Sequence, residues 1–413
     1  MKSRRRWNLW RQGAPLALAV VVFLAAVAYG ARTWVSQPYR FALIGNDGTH
    51  LKQEREAGVN AKVLNLRWCN FYTSEGKVNT SYVEHEKKEL KNLQEAGFQV
   101  ILSLGFHDTP PWVHENYPNS YYVNQSGERW TGDNFVNGVP RDNGDANLVF
   151  NQQLRGLVSS YAKDVFSEFG TDFYAVRLGG GRYGELTYPP ARFGGKDNNY
   201  WAYDKNAQKS AAGAKVKGWR PGDPSPDGQA GRFLNWYLDS MVGYQKWQVS
   251  MVREAGYSGK IMMLYPGWGI RPGQVKLAAA SNLDGSTPAE TNGEIQSGHD
   301  FARQVAAIKE GNVLVTTTWL DANASKDDGE DPRYWSPVKY LSSLADANPV
   351  HPGLYGENTG DGSLEDMRLS AHQMRRYGLV GMAWYKESQL LSGRHATLAG
   401  YERIIEASQE NGR

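Results

Sequence analysis

Residues 173–189 read FYAVRLGGGRYGELTYP, an apolar run followed by three consecutive glycines and then by the carboxylate of Glu185. The run has the aromatic and aliphatic composition of a buried strand, and the glycines indicate a tight turn whose backbone can approach a ligand closely. A carboxylate directly after such a turn can project into a cleft. This stretch therefore predicts a strand whose carboxyl end carries a reactive acid.

Working outward, apolar runs of this kind alternate with amphipathic helical segments along the chain. The strand candidates are residues 39–47, 61–68, 98–107, 173–181, 260–268, 312–322, 352–360 and 379–387. Helical periodicity, with a glycine at the end, is clearest in residues 81–97, 146–170, 233–256, 299–311 and 363–378. Strict alternation is typical of a parallel sheet covered by helices, and eight repeats predict an α/β fold of the (β/α)8 TIM barrel type.

A doubly wound sheet would show a similar alternation, but it usually carries a Gly-rich phosphate loop after its first strand. Residues 44–50, IGNDGTH, are not such a loop. Three stretches rich in Gly, Asn, Asp and Pro follow proposed strands, at residues 116–147, 190–231 and 271–298. Long irregular loops above one end of a barrel build a binding cleft, so the sequence favours a barrel with long loops after its strands.

The first 38 residues differ in composition from the rest of the chain. Residues 1–13, MKSRRRWNLWRQG, are densely basic, and residues 14–29 form an almost unbroken apolar run. This is the layout of a secretory signal or of a short membrane anchor whose positive side stays in the cytoplasm. We therefore expect a catalytic domain over residues 39–413 outside the cytoplasmic membrane, in the periplasm or at the cell surface. We expect the N-terminal segment to anchor this domain in inner-membrane lipid, or the domain to be secreted if the segment is cleaved.

Composition excludes several classes of protein. The 46 basic and 43 acidic residues leave a formal charge of +3, which gives no footprint for nucleic acid. A single cysteine, Cys69, excludes an intrachain disulfide, and the spacing of the eight histidines predicts no metal site. No motif implies a cofactor, and the G-x-S-x-G elbow of serine hydrolases is absent. The 14 Trp and 23 Tyr residues supply flat faces that stack on sugar rings, which favours a carbohydrate as the substrate.

Polar and aromatic side chains crowd the predicted strand ends, where the active site of a TIM barrel lies. The aromatic rings placed to stack on sugars are Trp68, Trp112, Tyr265, Trp268, Trp319, Tyr355 and Trp384. The polar and charged groups suited to binding sugar hydroxyls are Asp47, Arg67, His107, Asp108, Arg177, Asn358 and Lys386. We predict that these two sets form the substrate-binding surface.

Residues 177–190, RLGGGRYGELTYPP, closely resemble the signature of the family 14 β-amylases, in which a Gly-rich run leads into Gly-Glu-Leu-Arg-Tyr-Pro and the Glu is the general acid. The resemblance implies that role for Glu185. Residues 102–112, LSLGFHDTPPW, are similar to the third-strand region of that family, with a histidine at the place of His107. They are also similar to the family 42 β-galactosidases, whose strand leads into a Pro-Pro-Ala-Trp loop. Both resemblances imply a TIM-barrel glycosidase.

Glycosidic cleavage needs a second carboxylate, which acts as nucleophile or activates water. Residues 316–322, TTTWLDA, resemble the Thr-Cys-Leu-Glu-Met segment of the β-amylases and would place the base on Asp321, one methylene shorter than Glu. Residues 353–362 resemble their Ala-Gly-Glu-Asn-Ala segment, and family 42 has a nucleophilic Glu after the seventh strand, where Glu357 stands. Its Gly-flanked aromatic setting favours Glu357, for which we expect retention of anomeric configuration, whereas Asp321 would imply inversion.

The sequence thus predicts an extracytoplasmic glycoside hydrolase that cleaves a polysaccharide or an oligosaccharide with two carboxylates. One departure from family 42 is Gly184, which precedes the acid where that family has Asn. Two alternatives remain open. The first is a barrel that binds glycan without cleaving it, as in envelope or exopolysaccharide assembly, and the second is a transglycosylase that uses the same carboxylates.

Overall fold

Eight parallel strands close into a barrel in the computed structural model, which describes residues 39–45, 48–132, 135–136, 139–140 and 144–410. The strands are β1 (Arg40–Ile44), β2 (Ala61–Asn65), β3 (Gln99–Ser103), β4 (Ala175–Leu178), β5 (Lys260–Tyr265), β6 (Val313–Thr317), β7 (Leu354–Glu357) and β8 (Gly381–Tyr385). Each strand pairs with its neighbours in sequence, and β8 pairs with β1 to close the circle. The predicted (β/α)8 barrel is confirmed, whereas the predicted N-terminal segment lies outside the described residues.

Helices surround the barrel and fill the loops above it. Their bounds are Leu51–Glu56, Trp68–Phe71, Thr80–Glu95, Pro111–Asn116, Gln152–Phe169, Lys205–Gly213, Gln229–Glu254, Gln274–Ala280, Ala289–Ser297, Phe301–Ala306, Pro337–Ala347, Leu364–Arg376, Glu387–Ser392 and Leu398–Glu410. A 3-10 turn spans Arg182–Gly184, and two short hairpins pair Tyr72–Ser74 with Lys77–Val78 and Phe135–Val136 with Val139–Pro140. Within the described residues, none of these helices combines the length and the hydropathy that crossing a membrane requires.

Two of the stretches that we expected to be irregular contain helices. Residues 190–231 include Lys205–Gly213, and residues 271–298 include Gln274–Ala280 and Ala289–Ser297. The first of these helices begins at Asp204, whose carboxylate accepts hydrogen bonds from two amides of the first turn, at 2.9 and 3.1 Å. These helices are short, so their periodicity is weak and the Gly and Asn residues around them dominate the local sequence.

Side chains along the strands alternate between two layers. In β1, Phe41 and Leu43 face outward to the helices, whereas Ala42 and Ile44 face into the barrel. The interior holds the apolar cluster Ala42, Ile44, Ala61, Val63, Ile101, Ala175, Met262, Leu264, Leu314, Tyr355 and Ala383. Continuing this alternation to the carboxyl ends of the strands brings polar side chains above the apolar interior. The period of two therefore decides which strand residues can face a ligand.

An ion-pair cluster lies where the barrel closes. Lys62, an outward residue of β2, is fully buried, and its Nζ lies 2.8 Å from Oε2 of Glu54 and 2.6 Å from Oε1 of Glu387. Glu54 belongs to the helix after β1, and Glu387 follows β8. Burial, together with a hydrogen bond to the carboxyl group of Glu54, raises the pKa of Glu387 to about 7, although Lys62 opposes the shift. The cluster links three neighbouring segments at the seam of the barrel.

Candidate active site

A cavity of about 870 Å³ opens at the carboxyl ends of the strands. Its floor is formed by the inward positions that the alternation predicts, and its walls are formed by the loops that follow the strands. The strand residues in its lining are Ile44, Asn65, Ser103, Arg177, Leu264, Glu357 and Tyr385. Glu185 and Glu357 both line this cavity, so the fold brings together two carboxylates that are 172 positions apart in the chain.

Three glycines place Glu185 at the cavity wall. The chain turns back on itself after β4, and the amide of Gly181 donates to the carbonyl of Glu185 at 2.8 Å. A Cβ on Gly179 would lie 2.3 Å from the carbonyl oxygen of Gly184, and a Cβ on Gly181 would lie 2.3 Å from that of Thr187. Only glycine fits at these two positions, because two passes of backbone lie in direct contact.

The surroundings of Glu185 favour its protonated form. Burial raises the pKa of this carboxyl group to about 7, and the charge of Glu357 acts in the same direction. The hydroxyl of Thr318 donates to Oε1 of Glu185 at 2.6 Å and opposes the shift. A carboxylic acid that keeps its proton near neutral pH and can lose it on demand has the property that a general acid needs.

Glu357 is paired with a guanidinium group. Arg177 donates from Nη2 to Oε2 of Glu357 at 2.6 Å, and the two side chains are only 11% and 12% exposed. Burial raises the pKa of Glu357, but the positive charge of Arg177 and this hydrogen bond oppose the rise. The two carboxyl groups therefore differ in partner, because Glu185 faces a hydroxyl and Glu357 faces a cation. Such a division of surroundings separates an acid from a base or nucleophile.

Asp321, the other candidate for the second carboxylate, is not among the residues that line the cavity. Its two oxygens accept the backbone amide of Thr359 at 3.0 and 3.2 Å, and Oδ2 also accepts the hydroxyl of Thr359 at 3.0 Å. The carboxylate thereby ties the loop after β6 to the loop after β7. This placement suits a structural role for Asp321 and leaves Glu357 facing the cavity with Glu185.

Three of the predicted polar residues form one group on the cavity wall. Arg67 makes two parallel hydrogen bonds to Asp108, at 3.0 Å from Nε and 2.8 Å from Nη2. His107 lies beside them, and burial lowers the pKa of its imidazole. A Cβ on Gly184 would lie 3.1 Å from Cε1 of His107, so the glycine that precedes Glu185 allows this ring to approach the acid loop. These groups can donate to and accept from sugar hydroxyls.

The remaining predicted polar residues have different positions. Asn358 lines the cavity and ties β7 to β8, since its Oδ1 accepts the amide of Tyr385 at 2.6 Å. Lys386 is exposed but is not among the residues that line the cavity. Asp47 lies outside the described residues. Of these three, only Asn358 has a structural basis for a place in the substrate site.

Most of the rings predicted to stack on sugars are instead buried in the core. Trp68 and Trp112 pack edge to face at 6.2 Å beneath the cavity wall, and Tyr265 and Trp384 are fully buried at outward positions of their strands. Tyr355 points inward but lies deep in the barrel, where its hydroxyl donates to a backbone carbonyl. Buried rings cannot stack on a ligand, so the stacking role does not fit these five residues. Side chains alternate between the two faces of a strand, and closeness to a strand end does not show which face a residue occupies.

Two of the predicted rings are accessible. Trp319 is half-buried and lines the cavity next to Thr318, and Trp268 packs edge to face against it at 6.5 Å. The structure adds Tyr385, and it adds Tyr183, whose side chain is 60% exposed at the cavity lining. Tyr183 stands in the acid motif itself, where its φ of 61° belongs to the sharp turn before Glu185.

Other residues that line the cavity were not singled out from the sequence. They include Arg182, Glu294, His299 and Thr318. Thr318 follows β6 at an inward position, so strict alternation from Leu314 through Thr316 would have identified it. Glu294 comes from a stretch that we expected to be irregular, and His299 stands at the start of a predicted helix; nothing in the local sequence indicates that either residue lines the cavity.

No protein-family model matches the sequence, and no curated protein sequence matches it. Among solved structures, the catalytic domain of β-amylase from Paenibacillus polymyxa is 17% identical to the chain and has a TM-score of 0.66. The alignment covers 91% of this chain and 99% of that one. The chain shares the fold of that domain.

Two β-galactosidases give a similar result. The enzyme from the haloarchaeon Halorubrum lacusprofundi is 12% identical with a TM-score of 0.55, and the match covers 90% of this chain and 58% of that one. The enzyme from Bacillus circulans sp. alkalophilus is 10% identical with a TM-score of 0.54, covering 91% and 55%. The chain spans a little over half of each β-galactosidase. At these identities the likeness is one of fold, and it confirms the resemblance to β-amylase and β-galactosidase barrels that the motifs indicated.

Proposed function

We propose that the protein is a glycoside hydrolase that cleaves an oligosaccharide or a polysaccharide, with Glu185 as the general acid and Glu357 as the second carboxylate. Glu185 protonates the glycosidic oxygen as the bond breaks. Glu357 either attacks the anomeric carbon or deprotonates a water that does so. Arg177 keeps Glu357 anionic, and Thr318 stabilises the carboxylate that Glu185 becomes.

The observation that carries this proposal is the unequal pair of carboxyl groups in one cavity. Glu185 has a pKa of about 7 and a neutral partner, whereas Glu357 has a cationic partner at 2.6 Å. One group is therefore ready to give a proton while the other is ready to supply negative charge. The β-amylase and β-galactosidases that share the fold suggest α-glucans and β-galactosides as the first substrates to test.

The location is a further part of the proposal. The basic residues 1–13 and the apolar residues 14–29 support export of the barrel across the cytoplasmic membrane, either anchored or released. We expect the full chain in a bacterial host to resist protease in intact cells with a closed outer envelope and to become accessible in spheroplasts. A chain that starts at residue 39 should remain protected inside the spheroplast. Equal protection of both chains in spheroplasts would refute extracytoplasmic placement.

The test of the acid uses leaving groups of different quality. Soluble α-glucan, galactan and the matching 2,4-dinitrophenyl glycosides are offered to the wild type and to Glu185→Gln. A dinitrophenolate leaves without protonation, so Glu185→Gln should lose about 10²-fold or more of kcat/KM on the natural linkage and much less on the dinitrophenyl glycoside. Glu357→Gln should lose activity on both, because its role does not depend on the leaving group.

Asp321→Asn serves as the matched control, since it removes a carboxylate that lies beside the cavity but does not line it. We expect this variant to bind and cleave with altered stability but with the same preference among leaving groups. Loss in Glu185→Gln that is equal on both kinds of substrate would show that Glu185 is not the acid. If the wild type binds the glycans without releasing sugar, the protein is a binding barrel, and transfer to added sugar acceptors in place of hydrolysis would identify a transglycosylase.

A further inference from the structure

A third carboxylate and a histidine line the same cavity and have no part in the two-carboxylate reaction. Glu294 belongs to the helix Ala289–Ser297, and His299 follows that helix two residues later. Their side chains are only 16% and 9% exposed. Nδ1 of His299 lies 2.8 Å from Oε2 of Glu294, and Nε2 lies 2.9 Å from the hydroxyl of Thr187. Thr187 stands two residues after Glu185, so the chain of contacts ends at the acid loop.

The hydrogen bonds of Glu294 favour its ionised form. The backbone amides of Trp268 and Gly269 donate to its two oxygens, at 3.1 and 2.8 Å. Burial alone would raise the pKa of Glu294, but His299 and these two amides outweigh it and lower the pKa. An ionised carboxylate can only accept, and therefore the Nδ1 atom of His299 that faces it carries a proton.

The second ring nitrogen of His299, Nε2, faces the hydroxyl of Thr187. The hydroxyl of Thr187 has one proton, and its oxygen lies 2.9 Å from the carbonyl oxygen of Tyr188 and 3.4 Å from that of Ser297. A hydroxyl that donates to either carbonyl can only accept from Nε2. When the Thr187 hydroxyl donates to a carbonyl, both ring nitrogens of His299 donate, and this arrangement requires an imidazolium ion paired with Glu294.

The space for this pair is kept by a glycine. A Cβ on Gly267 would lie 2.6 Å from Oε1 of Glu294 and 3.0 Å from Nδ1 of His299. Gly267 also has a φ of 75°, a conformation that side chains rarely adopt. The loop after β5 is therefore shaped around the ion pair, which identifies the pair as a built part of the cavity wall.

We propose that Glu294 and His299 are a positioning pair for the catalytic acid. The imidazolium ion holds the acid loop through Thr187 and supplies a fixed positive charge that stabilises the carboxylate left when Glu185 gives up its proton. This inference rests on the proposed function of Glu185.

Several charges determine the electrostatics of this arrangement. Glu185 faces the charges of Glu357, His299 and Arg177, and of these His299 and Arg177 lower its pKa against the effect of burial. Glu294 faces His299 and also interacts with the guanidinium group of Arg271. Glu294 therefore influences the pKa of Glu185 through the charge of His299.

The experiment observes the two groups directly by NMR of the full chain, without a substrate. In protein labelled with 13C at the glutamate carboxyls, the signal of Glu185 is identified by its absence in Glu185→Gln. Its titration midpoint should move to higher pH in His299→Gln and in Glu294→Gln. The matched control, His372→Gln, removes an exposed imidazole and should leave the midpoint unchanged. In protein labelled with 15N at histidine, His299 should show two protonated nitrogens at pH 7.

A midpoint that stays in place in both variants, or 15N shifts of a neutral ring for His299 in the wild type, would overturn the inference. If His299→Gln does not fold, Glu294→Gln and the wild-type 15N spectrum still test the inference.

On a cleaved glycan, His299→Gln should lower kcat about tenfold while KM changes less than about twofold, as expected when a transition-state interaction is lost. If no glycan is cleaved but the midpoint moves, the proposed function fails and the electrostatic pairing stands. If glycan is cleaved but the midpoint does not move, the proposed function stands and the positioning pair is overturned.

Discussion

At the scale of single residues, the main feature is a carboxyl group kept in a setting that disfavours its charge. At a pH below the ordinary pKa of a glutamate, Glu185 is protonated in the folded and the unfolded chain, and its ionisation has no effect on stability. As the pH rises toward about 7, the unfolded chain loses this proton first, and folding stability falls. Above that pH Glu185 is ionised in both states, and the loss of folding stability no longer changes with pH. Activity near neutral pH therefore comes at the expense of stability.

We accordingly expect Glu185→Gln to be more stable than the wild type at pH 8 by about 3 kcal/mol, because the amide cannot ionise. At pH 4.5 the difference should nearly vanish. Urea unfolding at the two pH values measures it. Equal stability of the two proteins at pH 8 would contradict the burial of charge at Glu185.

The hydroxyl of Thr318 gives a second prediction at this scale. It donates to Glu185 at 2.6 Å and supports the ionised form. Thr318→Val keeps the shape of the side chain and removes the donor, so the basic limb of the pH profile of kcat/KM should move to higher pH. Thr316→Val is the matched control, since within the described residues the buried Thr316 hydroxyl has no hydrogen-bond partner. An unmoved limb in Thr318→Val would show that this hydrogen bond does not set the acid's pKa.

At the scale of elements, the Gly-rich turn after β4 determines where the acid stands. Gly181 has a φ of −105°, so its constraint is steric: the space for a Cβ is taken by the carbonyl oxygen of Thr187 at 2.3 Å. Gly181→Ala should displace the acid loop, lower kcat about 10²-fold and reduce stability by about 1–3 kcal/mol.

A glycine in an open position provides the control for this variant. Gly156 lies within the helix Gln152–Phe169, and a Cβ there would meet nothing within 4 Å. Gly156→Ala should leave kcat unchanged and stabilise the protein by about 0.5–1 kcal/mol. Thermal unfolding and initial rates separate the two variants. Full activity in Gly181→Ala would mean that the turn does not position Glu185.

The elements also show how far the fold and the site could be predicted from the sequence. All eight strands could be predicted, because parallel strands of a barrel are buried on both sides and appear as continuous apolar runs. The place of Glu185, Glu357 and Arg177 at the cavity could be predicted as well, since strand ends converge in this fold. Trp384 and Tyr265 were misplaced because neighbouring residues at a strand end face opposite layers. The place of Glu294 and His299 at the cavity could not be predicted, since it depends on how the long segment between β5 and β6 packs against the barrel.

At the scale of the whole molecule, the buried cluster of Lys62, Glu54 and Glu387 joins the segments on both sides of β1. Removing the cation leaves two buried carboxylates without a charge partner. Lys62→Met should therefore destabilise the protein by about 3–5 kcal/mol. Glu387→Gln should lower the free energy of unfolding by less, because a carboxyl group with a pKa of about 7 is already partly neutral at pH 7. Guanidinium unfolding at pH 7 measures both variants, and a larger loss in Glu387→Gln would contradict the assignment of charges.

Pairing of β1 with β8 also governs when the protein can become complete. Arg40 pairs with Gly381, so the first strand to be synthesised meets its second neighbour only after about 340 further residues have been made. Contacts so distant in sequence are formed slowly. Until the last strand arrives, the edge of β1 is open and can pair with other chains. A folding factor that covers the edge of β1, or rapid synthesis of the rest of the chain, would thus reduce wrong pairing of this strand most, before the protein meets any substrate.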